Sequence, residues 1–105
     1  MIRGIVRKGR GYGRKIGYPT INISTTAVQP LEGVYVGKVM ISDKEYNAGI
    51  VVGPGNKVEA HMIDYNGDAY GKEVTIEIKK FIRKFKKFRT EKELIAQIKK
   101  DLKNV

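Results

Sequence analysis

The chain has 105 residues, with 21 Lys plus Arg against 11 Asp plus Glu, a formal charge of +10, and no cysteine. That length fits one domain, 1–105, able to bury a single core without staples. The missing cysteines exclude a disulfide framework and a thiolate metal site and are consistent with a reducing cytoplasm. No apolar run reaches membrane-spanning length or resembles a signal-peptide core, and the expectation is a cytoplasmic monomer that does not engage a membrane.

Residues 2–8 read as a first strand. It leads into a glycine-rich stretch, Gly9, Arg10, Gly11, Tyr12, Gly13, Arg14 and Lys15, followed by Gly17-Tyr18-Pro19-Thr20-Ile21-Asn22-Ile23. Glycines at alternate positions allow bends that a Cβ would block. Amides in such a loop can converge on one anion, and Arg10, Arg14 and Lys15 add positive charge there. Pro19 fixes its own φ and restricts Tyr18, which stiffens the exit. On the extended segment that follows, Thr20 and Asn22 fall on one face. A hydroxyl beside an amide carbonyl, next to a phosphate cradle, suits Mg2+. The stretch therefore reads as a nucleotide-phosphate and metal site. A hairpin loop without ligand and an Arg-Gly segment that binds RNA are the other readings. The P-loop pattern fails because Ile16 follows Lys15, and the dinucleotide fingerprint fails because no helix pattern follows the glycines.

Residues 25–33 read as a connection, and Val34 to Ile41 as a strand. Asp43-Lys44 reads as a turn and Tyr46 to Val52 as the returning strand of a hairpin. Gly53-Pro54-Gly55-Asn56 is a turn signal. Lys57 to Tyr65 alternates cleanly: Val58, Ala60 and Met62 on one face, Glu59, His61 and Ile63 on the other. Asn66-Gly67-Asp68 marks a turn. Glu73 to Phe81 is the next strand, with Val74, Ile76 and Ile78 on one face. Thr90 and Glu93 form a capping-box pattern opening a helix whose apolar stripe is Leu94, Ile95, Ile98 and Leu102. Five or six strands and one terminal helix argue a small antiparallel barrel that the helix closes or plugs.

Two signals bear on chemistry. Glu59 is a mid-strand acid that could take a proton from an attacking alcohol; its plainer reading is a solvent-facing glutamate paired with a lysine. His61, the one histidine, shares that face and carries a secondary role at most. Between residues 79 and 89, seven of eleven residues are Lys or Arg, interleaved with Phe81, Phe85 and Phe88. A basic amphipathic helix there would suit an anionic membrane or nucleic acid. The alternation running in from Val74 favours a strand end, with the phenylalanines in the core and the lysines solvated.

The ordered set of a glycine loop, Pro19-Thr20-Ile21-Asn22, Gly33-Val34-Tyr35, Val58-Glu59-Ala60-His61, Asp64-Tyr65, Asp68-Ala69-Tyr70-Gly71, Ile82-Arg83 and a helix with Leu94 and Gln97-Ile98 resembles the riboflavin kinase (flavokinase) family over almost the whole chain. The resemblance implies a six-stranded, Greek-key-like all-β barrel with a terminal helix. It implies transfer of the γ-phosphoryl group of ATP, or another nucleoside triphosphate, to the 5′-hydroxyl of riboflavin. It places Thr20 and Asn22 at Mg2+, and Glu59 as the base. Gly9, Gly11, Gly13, Arg14, Lys15, Pro19 and Thr20 would lie by the phosphates, and Arg83 and Phe88 by the flavin. The sequence departs from the family in the short Gly53–Asn56 connection and in Lys84-Phe85, where Pro-Glu is usual. With no adenylyltransferase half, FAD synthesis is not expected. A basic barrel that binds nucleic acid and a non-catalytic flavin-binding domain are the alternatives.

Overall fold

The structure, a computed structural model, describes residues 2–7, 17–25, 31–65 and 69–105. Six strands, β1 (Ile2–Arg7), β2 (Ile21–Ser24), β3 (Gly33–Ile41), β4 (Lys44–Gly53), β5 (Lys57–Met62) and β6 (Glu73–Arg83), are followed by one helix, α1 (Glu91–Leu102). They close into a barrel in the order β1-β2-β5-β4-β3-β6, with all pairings antiparallel. This is the six-stranded barrel with a terminal helix that the resemblance implies.

The interior follows from period-two alternation. Val58, Ala60 and Met62 of β5, Ala48, Ile50 and Val52 of β4, and Val74 and Ile76 of β6 all point inward and are buried. Ile23, Val39 and Ile41 complete the centre. No polar or charged residue joins that core among the described residues. The alternate positions must therefore face outward, and this is what puts Glu59 and His61 on the outside of the wall.

The β3–β4 hairpin turns at Ser42-Asp43, one residue before the expected turn, and Lys44 already pairs with Ile41. Both turn residues have positive φ (51° and 63°), the handedness that matches the twist of a two-residue hairpin. Pro54–Asn56 is a 3-10 turn, tight enough to join β4 directly to β5. Strand β5 stops at Met62, short of the expected Tyr65, because Asp64 takes a positive φ of 62°. The expected turn at residues 66–68 lies outside the described residues.

Two expectations are corrected. Phe81, Phe85 and Phe88 do not enter the core: Phe81 is 48% exposed, and the other two are half-buried on the outside. The cause is a pair of bulges. Gly37 pairs with Ile78 but Val36 with Lys80, and Tyr35 pairs with Phe81 but Val34 with Arg83. Each step inserts an extra residue in β6 and upsets the alternation carried up to Ile78. Gly37 permits the first bulge, since a Cβ there would lie 2.0 Å from the Glu77 carbonyl oxygen. Strand β6 then ends at Arg83, and 84–90 forms an irregular strap into α1 rather than a basic helix.

Helix α1 does not plug the barrel either. It has no fully buried residue and meets the outside of β4, where a Cβ on Gly49 would sit 3.6 Å from Leu102 Cδ2. Thr90 is its N-cap, with Oγ1 accepting from the Glu93 amide at 3.2 Å.

Candidate active site

Strand β5 sits between β2 and β4, and the register fixes what meets on its outer face. Asn22 is directly opposite Glu59, with Ile21 opposite Ala60 and Ile23 opposite Val58. Directly opposed residues hold their Cβ atoms about 5 Å apart, so an amide and a carboxylate share one patch. On the other side Glu59 faces Val51. Thr20 lies one residue beyond the ladder. Continuing the register places it opposite His61, on the same face as Asn22. Four polar residues thus form a block, Thr20 and Asn22 on one strand line, His61 and Glu59 on the next.

The block is half-open to solvent. Glu59, Asn22 and His61 are half-buried, while Thr20 and Pro19 are exposed. Among the described residues, Glu59 has no salt bridge; the three ion pairs there are Lys38–Glu45, Lys79–Glu77 and Arg83–Asp101. Among the described residues, no lysine takes the partner's place expected beside a plain surface glutamate. Nor do the side chains of Thr20 and Asn22 hydrogen-bond to any described residue, so a hydroxyl, an amide and a carboxylate on neighbouring strand positions have no partner among the described residues.

His61 is the exception in the block. Its Nδ1 lies 2.7 Å from the Pro19 carbonyl oxygen. Because a carbonyl only accepts, the ring donates and the proton is on Nδ1. The Tyr18 ring stands edge-on to His61, 71° between planes and 5.9 Å between centroids.

The β4 side of the patch is bounded by the strap and α1. Phe85 reaches Gly53, where a Cβ would lie 3.3 Å from Cε1, and Leu102 covers Gly49. Arg83 anchors this wall. Its Nε and Nη2 donate to the Asp101 carboxylate at 3.1 and 2.9 Å, and its Nη1 donates to the Lys84 carbonyl at 3.1 Å. Gln97 donates to the same carboxylate at 2.9 Å. The guanidinium carbon sits 5.6 Å from the centre of the Phe88 ring. Arg83 and Phe88 therefore touch each other, and the Arg83 fork is occupied within the protein. Nothing in residues 79–89 announces this ion pair, because its acid lies on the far turn of α1.

Gly9, Arg10, Gly11, Gly13, Arg14 and Lys15 lie outside the described residues. Gly17, at the exit of that stretch, has φ 90°. As for a metal, the described residues hold no group of three or more His, Cys, Asp or Glu side chains able to cage an ion. The donor set at Thr20 and Asn22 is of another kind: two neutral hard oxygens. Hard oxygens of this kind suit a cation such as Mg2+, with most of its ligands coming from outside the protein.

The fold is thus a closed six-stranded barrel whose outer wall brings Asn22 opposite Glu59. A family model described as "Flavokinase: Riboflavin kinase" matches residues 1–105. The chain belongs to that family. It is 35% identical over 112 residues to the bifunctional riboflavin kinase/FMN adenylyltransferase of Bacillus subtilis, covering 95% of this chain and 35% of that one. It is 31% identical over 111 residues to the RNA-binding riboflavin kinase RibR of the same organism, covering 97% of this chain and 48% of that one. A crystal structure described as a macrolide-efflux protein from Streptococcus pneumoniae matches at a TM-score of 0.90 and 34% identity, over 97% of this chain and 36% of that one. The chain thus spans a third to a half of these relatives. Among the described residues, no helix is long and apolar enough to cross a membrane.

Proposed function

We propose that the chain is a riboflavin kinase, transferring the γ-phosphoryl group of a Mg-nucleoside triphosphate, ATP in the first instance, to the riboflavin 5′-hydroxyl. The observation that carries the reading is the Asn22–Glu59 register, which aligns on one outward patch a carboxylate and an amide oxygen that have no side-chain partner among the described residues. In this reading the Glu59 carboxylate accepts the proton of the 5′-hydroxyl as its oxygen bonds to the γ-phosphorus. The bond from that phosphorus to the β–γ bridging oxygen breaks, and FMN and the nucleoside diphosphate leave. General-base help of this sort contributes about 10²–10⁴-fold. Thr20 and Asn22 would hold Mg2+ through their side-chain oxygens, and the bound ion would supply charge stabilisation to phosphoryl transfer. Gly9, Gly11, Gly13, Arg14, Lys15 and Pro19 belong to the phosphate side.

The flavin side is the wall formed by the strap and α1. There Arg83 acts mainly by holding the strap to α1, with Phe88 stacked beside it. The protein works as a cytoplasmic monomer on two small molecules. Incubation with riboflavin, Mg2+ and each of four nucleoside triphosphates, followed by chromatography for FMN, tests the reading; FMN is expected with at least one donor, and flavin binding without FMN would leave only a flavin-binding domain.

A second reading has one observation behind it. Lys86, Lys99, Lys100 and Lys103, with Phe88 and Glu93, line an open groove of about 440 Å3 between strap and helix. None of these lysines has a salt bridge among the described residues, and one similar protein is named for RNA binding. Oligonucleotide binding that falls steeply with salt and ignores riboflavin would favour it.

A further inference from the structure

The block described above contains one residue for which the proposed chemistry has no use. Among the described residues, His61 makes no hydrogen bond to Thr20, Asn22 or Glu59; it meets the assigned groups only through the backbone of Pro19. It shares the outer face of β5 with Glu59, and its one polar contact among the described residues is the Pro19 carbonyl, 42 positions away in the chain.

That contact falls where the β2–β5 ladder runs out. Its last pair is Ile21–Ala60. Residue 19 is a proline, which has no N–H to donate to a ladder. Residues 18 to 20 therefore lie outside the ladder, and Gly17 before them has a left-handed φ of 90°. Without a further tie, the segment bearing Thr20 would be fixed to the barrel only from Ile21 onward. The Nδ1–H of His61 supplies the tie, at 2.7 Å, and the Tyr18 ring packs edge-on against the same imidazole. One side chain thus grips the residues on either side of the Pro19 peptide bond, just before Thr20.

We infer that His61 is a positioning residue for the nucleotide-metal corner. By clamping Tyr18 and Pro19 to the strand that carries Glu59, it sets the Thr20 hydroxyl beside the Asn22 amide and at a fixed span from the carboxylate. It acts through Thr20, not on the substrate. The inference deepens the kinase reading and rests on it. A rigid corner matters because donor groups misplaced by about 1 Å can cost roughly 100-fold in a positioned reaction. The side held is the nucleotide side; the flavin wall is held independently, by Arg83 and Asp101.

Two substitutions and one spectrum test it. His61→Leu keeps the bulk and removes the donor. His61→Asn keeps a donor nitrogen the same number of bonds from Cβ as Nδ1. Imidazole 15N signals of the neutral ring in the parent protein are expected to show the proton on Nδ1. Titrated with Mg·ATP, the Leu variant is expected to bind roughly tenfold or more weakly and the Asn variant within about threefold of the parent, each decade being about 1.4 kcal/mol. Riboflavin binding, read by quenching of flavin fluorescence, is expected to be unchanged in both. A bare Nδ1, a Leu variant that binds Mg·ATP like the parent, an Asn variant no better than Leu, or an equal loss of riboflavin binding would each overturn the inference. If the parent makes no FMN but the Mg·ATP pattern holds, the clamp stands and the kinase reading fails. If FMN forms and the pattern is absent, the clamp fails and the kinase reading stands.

Discussion

The two faces of β5 are made from the same six residues and do opposite work. Val58, Ala60 and Met62 point inward, are almost wholly buried and belong to the main core cluster. Glu59 and His61 point outward, half-exposed, one without a partner among the described residues and one holding a neighbouring segment. The inward face explains why the barrel stands. The outward face explains why the barrel would be useful, and its polar groups need not be buried to keep the fold. The separation predicts that stability and chemistry can be damaged independently from adjacent positions.

The largest effect should come from the outward face. Glu59→Gln keeps shape and removes the acceptor, so kcat for FMN formation should fall by about 10²–10⁴-fold with the melting temperature unchanged. A variant that turns over normally would end the base role. Next, on the inner face, Ile50→Ala opens a cavity in a position 0% exposed and should cost about 2–5 kcal/mol, read as a lower urea midpoint. Its folded fraction should retain the parent's kcat; a loss of kcat in fully folded protein would break the separation. A smaller effect is expected at Asn22→Ala, where the affinity for Mg·ATP should drop on the order of tenfold, about 1.4 kcal/mol, with riboflavin affinity held.

At the wall, Asp101→Asn takes the charge from the Arg83 fork in a part-buried pair. A loss of about 1–3 kcal/mol in stability is expected. The KM for riboflavin should rise while that for the nucleotide stays. The smallest effect belongs to Lys38→Ala, which removes an exposed pair with Glu45 at 3.4 Å and should shift stability by under about 1 kcal/mol.

Much of this was legible in the sequence because it is local. The alternation of residues 57–62 tells inner from outer face without a partner strand. The Thr90–Glu93 spacing marks the helix start, and Thr20 and Asn22 must share a face on any extended segment. What escaped depends on residues far apart in the chain. The bulges that expel Phe81 are a property of the β3–β6 pairing, and no pattern within β6 encodes them. Arg83 reads as a free cation until Asp101 is folded against it. His61 reads as incidental until Pro19 is brought beside it. The resemblance implied a metal role for Asn22 and a base role for Glu59 without saying how they meet; the register sets the two residues opposite each other.

The central claim is that a metal-bound triphosphate sits on the outer face of β2 and β5, beside Glu59. Replacing Mg2+ with paramagnetic Mn2+ in the presence of ATP and recording NMR spectra of the labelled protein reads this directly. The signals of Thr20, Asn22, Glu59 and His61 should broaden first, while those of Lys86, Lys100 and Lys103 stay sharp. Broadening centred on the lysine-lined groove, with the β2–β5 patch untouched, would contradict the account.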